Sequence, residues 1–194
     1  DDREKALDCL EKIESANTYL LGLINDILDM SRIESGKMEL SYESIDLEQQ
    51  LSNMESLFRA QAEEKHLELT FENDYRKRRL LRADSLRLNQ ILVNIIGNAI
   101  KFTELGSVAV RVKVLEEEPR ALIRFSVTDT GIGIEPAAMR RIFNAFEQAA
   151  ALTASRHGGT GLGLSISSRL VQMMGGTLEV RIGVLLYPEP GICL

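Results

Sequence analysis

"SLRLNQILVNIIGNAIKF", Ser85–Phe102, is apolar nearly all round. Leu88, Ile91, Leu92, Ile95, Ile96, Ala99 and Ile100 recur at helical spacing, and Asp84 stands ahead of them as a helix cap. A helix this apolar belongs inside a domain rather than on its surface. One stripe breaks the pattern. Asn94, Asn98 and Lys101 lie at i, i+4 and i+7, so they share a face. A solvated face would carry Glu and Lys. Two asparagines and one lysine on an otherwise buried helix suggest a polar ligand instead. Asparagine oxygens are hard ligands suited to Mg2+, which takes few protein ligands and fills its shell with phosphate oxygens and water. A helix edge with hydrogen-bonded asparagines would read the same in isolation.

Working outward, two alternating segments follow the helix, Ser107 to Glu116 and Ala121 to Thr128, with Glu117-Glu118-Pro119 as a hairpin turn. A short helix is expected after Pro136, to about Phe143, then a polar, glycine-containing loop over 144–160. A helix from about Leu162 to Met174 ends at Gly175-Gly176, and a strand over Thr177 to Val184 follows. Upstream, Met38 to Tyr42 reads as extended. Asp46 with Gln49 has capping-box spacing and opens a helix to about Lys65. Leu67 to Glu72 alternates as a strand. Helices and strands do not keep a β-α-β rhythm, so the expected class is α+β, a mostly antiparallel sheet with helices on one face.

Residues 3 to about 34 read as one long helix. Leu10, Ile13, Asn17, Leu20, Ile24, Ile27 and Ser31 alternate by three and four, and Leu7, Leu21 and Leu28 widen the stripe. Such a face suits a helical bundle, and a single helix cannot bury it. Asn17 on the seam either sets register or is a simple polar break. Gly36 ends the helix.

Composition bounds the function. The 194 residues suit one domain plus a smaller element. Apolar content of 44% supports a core, and a net charge of −6 argues against nucleic-acid binding, which demands a Lys/Arg excess. The run Arg76-Lys77-Arg78-Arg79 reads as a solvated local exception. Cys9 and Cys193 offer neither a disulfide framework nor metal spacing. With no membrane-spanning run and no signal peptide, the segment reads as cytosolic, a cytoplasmic part of a larger protein that a membrane anchor elsewhere is free to hold.

Two further stretches carry chemistry. In "VTDTGIGI", residues 127–134, a strand ends at Asp129 and Gly131 and Gly133 permit a tight turn and close approach of backbone to a ligand. A carboxylate there can accept hydrogens from the amine of a flat base. An ordinary strand-exit turn is the alternative. "RHGGTGLGL", residues 156–164, fits the frame of a Walker loop except that Leu164 stands in place of its lysine. The spacing is also wrong for the dinucleotide fingerprint, so taken alone it is a flexible loop before a helix. Main-chain N–H groups at a helix start bind anions without a lysine, however, and Thr160 and Arg156 add a hydroxyl and a positive charge.

In chain order, "NIIGNAIKFT" (94–103), "DTGIGI" (129–134), "IFNAFEQA" (142–149) and "GGTGLGLSIS" (158–167) closely resemble the N, G1, F and G2 boxes of sensor histidine kinases. The wider group is the ATP-binding fold shared with gyrase, HSP90 and MutL, a two-layer α/β sandwich called the GHKL or Bergerat fold. "YLLGLINDILDMSRIESGKMEL" (19–40) resembles the second helix of the kinase dimerisation hairpin and its exit linker. The resemblance implies that residues 1–37 are that helix and 38–194 the ATP-binding catalytic domain. It implies ATP and Mg2+ as cofactors, a homodimer formed through the N-terminal helix, and a response regulator receiver domain as partner, with no nucleic acid.

Residue by residue, it implies that Asn98 ligates Mg2+, Asn94 lies near the γ-phosphate, Lys101 meets phosphate and Phe102 flanks the nucleotide. Asp129 would read the adenine amine, with Gly131, Ile132 and Gly133 shaping that pocket. Phe143 and Phe146 would anchor a lid over 144–160. Arg156 with Gly159, Thr160, Gly161, Leu162, Gly163 and Leu164 would close over the phosphates, with Leu162 and Leu164 packing the helix on the sheet. Asn94, Lys101 and Arg156 would be the catalytic set. Where ATPase relatives place a glutamate that activates water, this sequence has Asn94, a poor base. That favours phosphoryl transfer, where positioning and charge neutralisation do most of the work.

The family's phosphoacceptor is a histidine on the first dimerisation helix. Only His66 and His157 occur here, and neither has the acceptor context. His66 reads as a surface residue and His157 as a lid residue. The segment is therefore expected to bind nucleotide without phosphorylating itself at the family's site. The tail "RIGVLLYPEPGICL" departs from the family's usual closing strands, and Pro188 and Pro190 disfavour a central strand there.

Overall fold

The structure, a computed structural model, describes residues 2–74, 81–116, 121–139, 141–145, 161–181 and 192–193. The chain divides into two compact units, Asp1–Met38 and Glu39–Leu194.

The first unit is one helix, α1 (Asp2–Glu34). It stops because Gly36 turns left-handed at φ 65°. The Lys37 N–H then reaches Arg32 O at 2.9 Å and the Gly36 N–H reaches Ile33 O at 3.1 Å, a Schellman pairing that satisfies two late carbonyls. Among the described residues its apolar stripe is exposed: Leu10, Ile13, Leu20, Ile24 and Ile27 each keep between 50% and 64% of their surface accessible.

The second unit runs β1 (Glu43–Ile45), α2 (Leu47–Glu64), β2 (Glu68–Asn73), β3 (Leu81–Ala83), α3 (Ser85–Phe102), β4 (Ser107–Glu116), β5 (Leu122–Asp129), α4 (Gly163–Met173) and β6 (Ile192–Cys193). Among the described residues its larger sheet has four strands, in the order β2-β4-β5-β6. β2 and β4 are parallel, because α3 lies in the crossover between them, and the other pairs are antiparallel. β1 and β3 form a separate antiparallel pair.

Strand alternation sets the core. Val108, Val110 and Val112 of β4 are buried, as are Phe125 and Val127 of β5. α3 packs against both strands, with α2 on one flank and α4 on the other. Leu92, Ile95 and Ile96 have no accessible surface at all. Each such side chain contributes about 1.5–3 kcal/mol by leaving water. The fold is thus the expected α+β, with a mixed sheet of antiparallel majority.

Caps hold the helices in place. Asp46 accepts from the Gln49 N–H at 3.2 Å, while the Gln49 side chain turns to Asn53 instead of closing the box. Asp84 Oδ1 accepts from the Arg87 N–H at 2.9 Å, and its Oδ2 accepts from the Ser41 N–H at 2.8 Å. One buried carboxylate thus starts α3 and pins the entering chain.

The structure corrects four expectations. The extended stretch at 38–42 has no ladder. The strand lies at Glu43–Ile45, where it meets Leu81–Ala83, a partner no local pattern announces. Residues 136–139 and 141–144 make successive turns rather than a helix, with Ala138 N–H to Glu135 O at 2.8 Å and Asn144 N–H to Arg141 O at 2.9 Å. Over 177–181 there is an isolated bridge at Glu179 and no continuous strand, and 182–184 lie outside the described residues. The closing strand comes from Ile192–Cys193, which pair with Val127 and Ser126 beyond the prolines that disfavour a strand. The hairpin turn at 117–119 also lies outside the described residues.

Candidate functional site

The polar stripe of α3 is where the sequence analysis expects a ligand. Asn94, Asn98 and Lys101 are half-buried on that helix. Asn98 Nδ2 donates to Asn94 Oδ1 at 3.3 Å, and Asn94 Nδ2 donates to Ser167 Oγ of α4 at 2.9 Å. The chain of amides runs one way, from Asn98 through Asn94 to Ser167. It spends the Asn98 nitrogen on the protein and leaves its oxygen as the acceptor at the open end, the donor type a hard divalent cation takes.

Gly163 makes this contact possible. A Cβ there would sit 2.2 Å from Asn94 Oδ1 and 2.8 Å from its Cγ, so any side chain at this position would have to displace the Asn94 amide. Gly163 and Ser167 are one helical turn apart, both facing Asn94. α4 begins at Leu162 with no side-chain cap bond, so main-chain N–H groups stand at its start. Gly161 precedes it at φ 69°, Leu162 is fully buried and Leu164 half-buried.

The other end of α3 meets the exit of β5. Asp129 Oδ1 accepts from the Gly131 N–H at 2.9 Å, and the Ile132 N–H donates to Phe102 O at 3.3 Å. Backbone crowds this turn. A Cβ on Gly131 would lie 2.5 Å from Phe102 O, which cannot move without moving the helix end. Thr130 secures the same turn, because its Oγ1 accepts from the Ser107 N–H at 3.0 Å and its own N–H donates to Ser107 O at 3.1 Å. Asp129, Ile132 and Gly133 are exposed, and Gly133 has φ 69° with open space around it. The Lys101 ammonium stands 5.2 Å from the centroid of the Phe102 ring. Desolvation by burial lowers the Lys101 pKa below its ordinary value.

Thus α3 collects Asn94, Asn98, Lys101 and Phe102, with Gly163 and Ser167 of α4 against Asn94 in mid-helix and Gly131 and Ile132 against its C-terminal end. Phe143 is half-buried in the 141–144 turn. Phe146, Arg156, Gly159, Thr160 and His157 lie outside the described residues, as does all of the lid expected over 144–160 except residues 144 and 145. His66 is exposed and holds φ 55° where α2 turns into β2. Ser167, Thr130 and Lys65 join the site in the structure without having stood among the residues expected there. A small-residue pair spaced i, i+4 was the available signal for Ser167. Nothing local marked the other two.

Residues 83–191 match the family described as histidine kinase-, DNA gyrase B-, and HSP90-like ATPase. The chain is 40% identical over 166 residues to "Autoinducer 2 sensor kinase/phosphatase LuxQ" of Vibrio cholerae, covering 86% of this chain and 19% of that protein. It is 43% identical over 178 residues to "Sensor histidine kinase GacS" of Pseudomonas protegens, covering 91% and 19%. The chain therefore spans about a fifth of the length of these curated relatives. Among solved structures, ShkA in complex with AMPPNP superposes with a TM-score of 0.73 at 38% identity, covering 90% of this chain and 34% of that one. With the family's match extending from the start of α3 through both glycine turns and α4, the chain belongs to the histidine kinase-, DNA gyrase B-, and HSP90-like ATPase family.

Proposed function

We propose that residues 38–194 bind Mg-ATP and present its γ-phosphoryl group to a histidine on another polypeptide segment, as the catalytic domain of a sensor histidine kinase. The observation that carries this reading is the α3 face, with an amide chain that occupies the Asn98 nitrogen, a desolvated lysine beside an aromatic ring, one glycine packed on Asn94 in mid-helix and another on the helix's C-terminal carbonyl.

The residues fit the groups they would hold. Asn98 Oδ1 would hold Mg2+, which would supply charge neutralisation to the phosphates. Lys101 supplies positive charge to the phosphates. Phe102 flanks the nucleotide. Asp129 keeps one oxygen on the Gly131 N–H and accepts the adenine amine with its carboxylate, while Gly131, Ile132 and Gly133 line that pocket. The Gly161–Leu164 main chain at the start of α4 meets phosphate, joined by Gly159, Thr160 and Arg156, and Phe146 belongs to the same closing segment. Asn94 carries an amide where hydrolysis would need a base, so the site transfers phosphate rather than releasing it to water.

Residues 1–37 are proposed as the second helix of the dimerisation hairpin, their exposed stripe covered by a partner helix in a homodimer. A response regulator receiver domain is the proposed final acceptor, and the cytoplasm the proposed location. Among the described residues no helix is long and apolar enough to cross a membrane.

Neither His66 nor His157 has the acceptor context, which favours a second reading in which the chain binds nucleotide and dimerises without transferring phosphate. Incubation with labelled Mg-ATP and a separately supplied helix bearing an acceptor histidine decides between them. Acid-labile label on the supplied helix, and none on this chain alone, is the expected result. Nucleotide binding without transfer to the helix supports the second reading, and rapid phosphate release from ATP contradicts both.

A further inference from the structure

We propose that Lys65 is a positioning residue for the nucleotide site, an inference that rests on the reading of α3 as the nucleotide-binding helix. The last four carbonyls of α3 have no partners within the helix and carry its partial negative charge. Three groups from outside the helix's own ladder meet all four. Ala99 O accepts from Thr103 Oγ1 at 2.7 Å. Ile100 O and Lys101 O both accept from Lys65 Nζ, at 2.8 Å and 3.0 Å. Phe102 O accepts from the Ile132 N–H at 3.3 Å. One side chain therefore supplies half of the set, and it is the charged member, placed where a cation is favoured.

Lys65 reaches this position because α2 ends abruptly beside α3. His66 takes φ 55°, its N–H donates to Glu63 O at 3.0 Å, and the Leu67 N–H donates to Ala62 O at 2.9 Å. That Schellman turn holds Lys65 at the helix cap while β2 departs. The turn of α3 that Lys65 grips carries Lys101 and Phe102, and its final carbonyl is the anchor of the Asp129–Gly133 loop. Removing the ammonium leaves Ile100 O and Lys101 O without that partner and loosens the helix end that both halves of the site share.

The test compares Lys65→Met and Lys65→Arg with the unchanged chain. Two quantities are read: the dissociation constant of Mg-AMPPNP, and amide hydrogen exchange at Ile132 in the nucleotide-free protein, with Val110 in the middle of β4 as reference. For Lys65→Met we expect about tenfold weaker binding and about tenfold faster exchange at Ile132. Exchange at Val110 should change far less, and Lys65→Arg should restore both quantities to within about threefold. Unchanged exchange at Ile132 in Lys65→Met overturns the proposal, as does equal acceleration at Val110, which would make Lys65 a support of the whole domain. If Lys65→Met does not fold, Lys65→Gln is read by the same two criteria. If the unchanged chain binds no nucleotide, the ATP reading fails by itself, while the Ile132 exchange still decides whether Lys65 holds the helix end.

Discussion

The Asn94 side chain donates to Ser167 Oγ across 2.9 Å, joining α3 to α4 through residues 73 positions apart in sequence. Ser167 is buried, so its hydroxyl is dedicated to this contact rather than shared with solvent. Ser167→Ala should leave the Asn94 amide without its acceptor and cost about 1 kcal/mol. Urea denaturation measures that loss. Because the same amide chain orients Asn98, nucleotide affinity should fall as well, whereas a mere stability effect would leave affinity of the folded fraction unchanged.

The glycines divide into those that touch the site and those that do not. Gly163→Ala drives a methyl into the Asn94 amide, and Gly131→Ala drives one into the Phe102 carbonyl. Each should cost about 1–3 kcal/mol by overpacking and should abolish measurable nucleotide binding. Gly97 lies on α3 itself, yet its added Cβ would meet only the Phe58 ring at 3.7 Å, an ordinary contact. Gly97→Ala should therefore stabilise the helix by about 0.5–1 kcal/mol and leave binding intact. Thermal melts with and without nucleotide separate the three variants.

Lys101 gives a pH dependence with a defined sign. Burial lowers its pKa from the ordinary 10.5, so over the interval between the two values the unfolded chain holds a proton that the folded chain has lost. Stability contributed by this group therefore rises as pH climbs through the lowered folded value, and its charge is a penalty to folding below it. A bound triphosphate favours the charged form and reverses the preference. Nucleotide affinity should fall as pH rises through the lowered value, earlier than an ordinary lysine would allow. Titration calorimetry across alkaline pH should show that fall, and Lys101→Met should flatten it.

The exposed stripe of α1 predicts self-association. Leu20, Ile24 and Ile27 recur on one side of the helix and are each at least half exposed among the described residues. Sedimentation equilibrium should find a concentration-dependent dimer, and Leu20→Glu with Ile24→Glu should return it to monomer while leaving nucleotide binding unchanged. A monomer at all concentrations would contradict the bundle reading of this helix.

How much of this was legible in sequence depends on the range of the interaction. α3 was readable because its apolar periodicity and the Asp84 cap are local, and β4 and β5 because each alternates over a full strand. β1 and β3 were not. They are three residues each, and their ladder spans from Glu43 to Ala83, so their existence depends on a tertiary contact rather than on a propensity. The short helix expected after Pro136 yields to turns, since the bonds among the described residues there are mostly i to i−3, such as Ala138 N–H to Glu135 O and Arg141 N–H to Ala138 O, with a single i to i−4 bond from Ile142 N–H to Ala138 O. At the site, residue types pointed to the polar face of α3 and to both glycine turns. The sequence could not say that Asn94 spends its amide on Ser167, or that Lys65 closes the helix end, because helix-to-helix contacts leave no period in either strand of text.

The central claim is that one face of α3, with the Asp129 turn, forms a Mg-nucleotide site. Isothermal titration of this chain with Mg-AMPPNP, beside Asn98→Ala and Asp129→Ala, tests it most directly. The account predicts one nucleotide per chain for the unchanged protein, at least tenfold weaker binding for Asp129→Ala, and loss of the Mg2+ dependence for Asn98→Ala. No binding by the unchanged chain, or equal binding by all three proteins, would contradict it.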